Sequence, residues 1–360
     1  MIGTIILFLV VLSVLVLAHE AGHFFTALKL GAKVEEFGVG FPPRAWSTIR
    51  KGIRYSINWI PLGGFVKIKG ESGGDRQDPD SFAGKPAWKR LIVLAAGVTM
   101  NLVLAAVLFS VGALVGMPQV IDGAVPPSAV VREQSISVTQ VAEGSAADLV
   151  GIEIGDQITS IDALTFENAE AARSYIGSHA DVSLTVVVKR GADYYTYLAQ
   201  PAELAEADGK KVLGIGLVET GIVSYPWYLA PVQGVQTTVY LTKEIVVAFY
   251  DLIKNLIVHQ NVSVELSGPI GIAVMTGEVA RMGIAYLIQF AAILSINLAV
   301  INILPFPALD GGRILFLLIE KLRGAPVSAN VEGWVHTAGF ALLMILVILV
   351  TYQDVVKSLL

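Results

Sequence analysis

Four stretches of the chain carry no Asp, Glu, Lys or Arg: residues 1–19, 91–121, 282–309 and 333–353. A membrane span needs about 20 apolar residues. The last three runs satisfy this outright, and the first leads directly into His19 and Glu20. The pattern predicts transmembrane helices over 1–28, 90–118, 282–304 and 333–353. A cleaved signal peptide is the alternative for residues 1–18, but that stretch has no basic n-region and no A-x-A cleavage site. A fifth apolar stretch, 227–258, sets Lys243, Glu244, Asp251 and Lys254 on one side of a helical wheel. Leu241, Ile245, Phe249, Leu252 and Leu256 fall on the other. That predicts an amphipathic helix on the bilayer surface or packed on a soluble domain.

Between the second and third spans the pattern changes to that of a compact α+β domain over 122–222. The segment S-I-S-V-T-Q-V alternates as a strand, a short helix follows Gly144, and a Gly155-Asp156 turn leads to another strand. Asn168 is placed to cap a helix over the next ten residues, and a hairpin turns at 190–193. The stretch G-S-A-A-D-L-V-G-I-E-I-G-D-Q-I-T-S-I-D-A resembles a PDZ domain of the bacterial protease type. The expected organisation is therefore a first membrane half at 1–121, this insert, an amphipathic helical linker at 223–280, and a second membrane half at 281–360. In the first half, Y-S-I-N-W-I-P-L-G-G-F-V-K-I-K-G reads as two strand-like runs broken by Pro61-Leu62-Gly63-Gly64, a β-hairpin within 53–70.

Composition agrees with a membrane protein. The chain is 54% hydrophobic and 15% charged, with a mean hydropathy of +0.67, against about 25% charged in soluble chains. A net charge of −5 gives no support to nucleic-acid binding. With no cysteine, any metal site must use nitrogen and oxygen ligands. Residues 29–90 hold 12 basic and 6 acidic side chains, and 118–281 hold 9 and 19. The positive-inside rule then makes the first loop cytoplasmic and the insert and both termini external.

The first span ends in His19-Glu20-Ala21-Gly22-His23, an H-E-x-x-H string. On a helix the two imidazoles project about 40° apart, one turn above the other, which suits two nitrogens on one zinc. Glu20 is placed to take a proton from a metal-bound water rather than to ligate. Two His and a Glu in an apolar run are costly without a shared purpose. A catalytic zinc needs a third ligand. His179 and His259 fall in the external region, and His336, opening the fourth span, reads as an interfacial histidine. Asp310 closes the third span in N-L-A-V-I-N-I-L-P-F-P-A-L-D-G-G. It reads either as a ligand or as a turn residue before two glycines. The first and third spans run parallel, so His19 and Asp310 reach the same membrane face.

H-E-A-G-H on the first span, N-I-L-P-F-P-A-L-D-G-G on the third and a PDZ-like insert between the second and third resemble the site-2 protease family. The likeness is to its bacterial regulator-of-sigma-E branch, in a short form with one PDZ-like domain. The resemblance implies Zn2+ held by His19, His23 and Asp310, with Glu20 as general base for zinc-activated water, and cleavage of transmembrane segments within the bilayer. It implies that Asn302 helps place substrate backbone, with a purely helix-terminal role as the alternative. It also implies that the hairpin, through Gly63, Gly64 and Phe65, offers a strand edge to an unwound substrate. The stretch A-A-G-V-T-M-N (95–101) departs from the family's G-P-x-x-N form, with Val98 where Pro is usual. The partners implied are single-span membrane proteins, such as an anti-sigma factor or a signal-peptide remnant, the lipid bilayer, and a peptide ligand of the PDZ-like domain. The place implied is the bacterial inner membrane, with the active site toward the cytoplasm. A non-catalytic membrane scaffold and a metal permease are the rival readings, and neither needs Glu20 beside the histidine pair.

Overall fold

The computed structural model describes all residues except 1, 72, 75, 122–124, 192, 205–210, 259–266, 326 and 360. His259 lies outside the described residues. In chain order the elements are α1 (Ile2–Lys29), β1 (Val34–Arg50), β2 (Ile53–Ile68), α2 (Ala87–Val115), β3 (Met117–Val120), β4 (Val130–Val141), α3 (Ala146–Val150), β5 (Gln157–Ile161) and α4 (Ala169–Ser178). They continue with β6 (Leu184–Arg190), β7 (Asp193–Ala199), β8 (Ala202–Glu203), β9 (Lys211–Val212), β10 (Ile215–Ser224), α5 (Ala230–Val258), α6 (Pro269–Met282), α7 (Ile284–Ile303), α8 (Asp310–Arg323) and α9 (Ala329–Leu359). The chain divides into two compact units, one of residues 1–111 with 231–360 and one of residues 112–230.

In the first unit, four helices among the described residues are long and apolar enough to cross a membrane: Gly3–Lys29, Ala87–Val115, Ile284–Ile303 and Asn330–Val356. Their large apolar side chains are widely exposed, among them Ile5, Val107, Leu346 and Ile348. That suits lipid and not water as their surroundings. The four helices fall where the uncharged runs put them. Small residues let helices approach closely. A Cβ on Gly22 of α1 would lie 2.3 Å from the Ala96 carbonyl oxygen of α2. On Gly234 of α5 it would lie 2.5 Å from the Ala106 carbonyl oxygen of α2, so the two helices come close at this glycine.

The hairpin differs from the sequence expectation. It is not confined to 53–70 with its reversal at Pro61–Gly64: β1 pairs antiparallel with β2, and the chain reverses at Lys51-Gly52, both at positive φ. That conformation favours a two-residue hairpin turn. Both strands bend midway, so residues 34–39 pair with 64–68 on one side and 36–39 with 54–57 on the other, while 44–50 pair with 53–58. Pro61, which has no N–H, and Gly63 at φ +86° interrupt the ladder where the second strand crosses over. The helix of the third span ends at Ile303. Leu304 to Leu309 form a tight loop, and α8 starts as a separate helix at Asp310.

The second unit is a six-stranded sheet in the order β3-β10-β4-β5-β6-β7, with α3 and α4 completing its core around Ile161, Leu184, Val186, Val188 and Leu217. Asn168 caps α4 by accepting from Ala171 N–H at 2.7 Å. The β6–β7 hairpin brings Arg190 opposite Asp193. β3 and β10 were not expected from the sequence, although β10 lies inside the sheet.

Candidate metal centre

The centre is built from α1, α2 and the start of α8. His19 and His23 stand one turn apart on α1, both almost fully buried, with ring centroids 4.8 Å apart. Their Nε2 atoms are 3.1 Å apart, and Asp310 Oδ2 lies 3.0 Å from the first and 3.1 Å from the second. Asp310 is the first residue of α8. Its two following glycines serve the turn rather than the ligand set directly. A Cβ on Gly311 would sit 2.1 Å from the Leu304 carbonyl oxygen, and on Gly312 2.3 Å from that of Phe306. The loop folds back so tightly that only glycine fits, which leaves the Asp310 carboxylate facing the histidines.

This donor set fits zinc. Four-coordinate zinc with ligands at about 2.0–2.1 Å has its ligand atoms roughly 3.3 Å apart. The triangle here, with sides of 3.0–3.1 Å, needs only a slight opening. Two imidazoles and one carboxylate, with no thiolate, match a catalytic and not a structural site. Among the described residues these three form the cluster of His and carboxylate groups able to hold a metal.

Helix α2 closes one side. A Cβ on Gly97 would lie 2.4 Å from His23 Nε2 and 2.7 Å from His19 Cε1, so the rings lie directly over this glycine. His23 Nδ1 is 2.8 Å from the Val93 carbonyl oxygen, which fixes the ring with Nε2 turned to the centre. The edge segment 64–68 of β2 closes another side. Val66 N–H donates to Glu20 Oε2 at 2.9 Å, and Ile68 N–H reaches Glu71 Oε2 at 3.4 Å. Glu71 also pairs with Arg313, three residues beyond Asp310. The segment is thereby tied to both α1 and α8.

Gly63 and Gly64 sit where β2 passes α1: a Cβ on either would meet Val16 Cγ1 at 2.8 Å or Leu17 Cδ2 at 2.6 Å. Phe65 lies over Gly38 and stacks toward Phe41, with ring centroids 6.4 Å apart. Asn302, half-buried in the last turn of α7, makes no side-chain hydrogen bond among the described residues. His336 has a definite task that its sequence position concealed. Its Nδ1 accepts from Ala308 N–H at 2.9 Å, and Ala308 holds φ +78° just before Asp310. The interfacial reading of this histidine is thus replaced by a role in the loop. Its position in an apolar helix gave no sign of that contact, which joins residues 28 apart.

A histidine pair and a carboxylate drawn together among helices apolar enough to cross a membrane are the marks of a membrane metallopeptidase. Residues 7–346 match peptidase family M50, the site-2 protease family, and the chain belongs to it. It is an intramembrane zinc metalloprotease. Zinc metalloprotease RasP of Geobacillus kaustophilus is 31% identical over 433 aligned residues, covering 98% of each chain. The regulator of sigma-W protease RasP of Bacillus subtilis is 28% identical over 439, again covering 98% of each. A candidate zinc metalloprotease of Clostridium perfringens is 33% identical over 353. Among solved structures, a PDZ domain of an SdrC-like protein from Listeria innocua is similar over 23% of this chain and 92% of its own, at 24% identity and a TM-score of 0.21.

Proposed function

We propose that His19, His23 and Asp310 hold the catalytic zinc and that Glu20 is the general base in hydrolysis of a peptide bond of a transmembrane substrate. The observation that carries this is the convergence of three donor atoms within 3.1 Å of one another, from two helices 287 residues apart, with Glu20 between the two histidines. Bound zinc supplies Lewis acidity and an activated water. Glu20 Oε2 is held by the Val66 N–H, which leaves Oε1 free to take the proton from the attacking water and return it to the departing amine. The Asn302 amide, with no partner of its own, is available to hydrogen-bond substrate backbone. Gly63 and Gly64 keep the strand edge against α1, and Phe65 stiffens it, so an unwound substrate can pair alongside the base.

The four apolar helices are read as the complete set of spans, with the basic first loop and the centre toward the cytoplasm of a bacterial inner membrane. The 112–230 unit is read as a PDZ-like external domain that screens substrates or binds a peptide end. The substrate class is a single-span membrane protein. The sigma-W regulator among the relatives favours an anti-sigma factor over a signal-peptide remnant. The test is cleavage of a panel of single-span substrates by purified wild-type and Glu20→Gln protein in detergent. Glu20→Gln should keep its zinc and lose cleavage, and retained cleavage would put the base elsewhere.

A further inference from the structure

The two ligand histidines are not supported alike in this structure, and the difference points to α2. His23 Nδ1 faces a carbonyl oxygen, that of Val93, at 2.8 Å. His19 Nδ1 instead faces the side-chain nitrogen of Asn101 at 3.4 Å. Asn101 is fully buried, and its Oδ1 has no hydrogen-bond partner. A buried amide oxygen without a partner is costly.

Both facts resolve together. When His19 turns Nε2 toward the metal, its ring proton must sit on Nδ1, which makes Nδ1 a donor. A donor facing the Asn101 Nδ2 donor is unfavourable. Rotating the carboxamide by half a turn exchanges two atoms of nearly equal size and brings Oδ1 to Nδ1. The orphan acceptor and the unpaired donor then satisfy each other. The backbone of Asn101 is already fixed, since its carbonyl accepts from Ser295 Oγ at 2.8 Å. Val93, Gly97 and Asn101 follow one another at four-residue spacing and so form one stripe of α2. Val93 serves His23, Asn101 serves His19, and Gly97 between them admits both rings.

We propose that Asn101 is a positioning residue of the zinc site, its Oδ1 accepting from His19 Nδ1–H and thereby fixing the tautomer and the ring angle that present Nε2 to the metal. This rests on the reading of His19 as a ligand. The test uses the full-length protein in detergent, stripped of metal, with zinc affinity measured by chelator competition. Asn101→Leu keeps the volume and removes the acceptor, and it should weaken zinc binding by about 10- to 100-fold, as loss of a ligand's outer hydrogen bond does. Asn101→Asp keeps an acceptor and should stay within a few-fold of wild type. In a His19→Ala background, Asn101→Leu should add no further loss. Wild-type affinity in Asn101→Leu overturns the proposal. So does an equal loss in Asn101→Asp, or a Leu effect undiminished without His19, since a merely structural role would give either. If His19→Ala itself leaves zinc affinity intact, it is the ligand assignment that fails. A second readout is made on the wild-type protein itself. In zinc-loaded wild-type protein labelled with 15N-histidine, and assigned against His19→Ala, the Nδ1 of His19 should carry a slowly exchanging proton, and an unprotonated Nδ1 refutes the proposal.

Discussion

Replacing Gly97 by alanine sets two effects of opposite sign against each other. Helix propensity alone favours the change, since alanine is better than glycine in a helix interior by about 1 kcal/mol. Sterics oppose it at one point. The new methyl would lie 2.4 Å from His23 Nε2 and 2.7 Å from the Cε1 atoms of both histidines. Carbon contacts relax only near 3.5–4.0 Å, so one partner must move by about 1 Å. If the rings move, the displacement is about half a zinc–nitrogen bond of about 2.0–2.1 Å, too far for His23 to serve as the ligand proposed above. If α2 retreats instead, the bond from His23 Nδ1 to the Val93 oxygen, now 2.8 Å, stretches beyond hydrogen-bonding range. Loss of that support alone is worth about 10- to 100-fold in metal affinity. Gly97→Ala should therefore bind zinc at least about tenfold more weakly. Thr99→Ala is the control, because Thr99 lies on the exposed side of α2 and bonds only its own helix at the Ala95 oxygen. Zinc content after dialysis against buffered zinc, with chelator competition, measures the difference. A Gly97→Ala protein that holds one zinc per chain with wild-type affinity would refute the packing argument.

The second unit should show an acid-labile stability traceable to one pair. Asp156 is fully buried; burial pushes its carboxyl up, but Arg190, with Nε and Nη2 at 2.7 and 2.8 Å, and the Glu153 N–H outweigh that and hold it below the ordinary carboxylate range. Because the folded group is the stronger acid, its contribution is complete above the unfolded value of about 3.9 and is lost as pH falls through the folded value. Resistance of the 112–230 segment to limited proteolysis should fall from about pH 4 downward in the wild type. Arg190→Leu strands the buried carboxylate and should reverse that slope, and a parallel decline in both proteins would exclude the pair as its source. At the loop, His336→Leu removes the acceptor that holds Ala308 at its positive φ. Cleavage should drop about fivefold, equivalent to a hydrogen bond of about 1 kcal/mol. Ala308→Gly should recover part of it, since glycine takes that conformation without strain. Unchanged kinetics in His336→Leu would show that the loop is held by other contacts.

What the sequence made legible, and what it hid, follows from the solvent in which these helices lie. A helix apolar on every side has no periodicity that marks its inward face, so the uncharged runs located α1, α2, α7 and α9 but could not say how they meet. Against that background a polar residue stands out because its burial must be compensated. His19, Glu20 and His23 were readable for this reason, whereas Asp310, before two glycines, read also as a turn residue, and it is the fold that brings its carboxylate to the two imidazoles. Glycine carries no such signal. Gly22, Gly97, Gly311 and Gly312 decide how closely α1, α2 and the loop before α8 approach, yet each reads as neutral in a hydropathy profile. Histidine and asparagine at single positions fare little better: His336 and Asn101 become intelligible only through Ala308 and His19, which are 28 and 82 residues away. In the second unit the missing strand has the same origin. The alternation of β10 is interrupted by Gly216 and Gly221, and its place in the sheet depends on β4 and β3, both far back in the chain. Local chemistry therefore marks which residues can react. The glycines and outer hydrogen bonds that aim them are set by neighbours distant in sequence, and there the tests of this site must be directed.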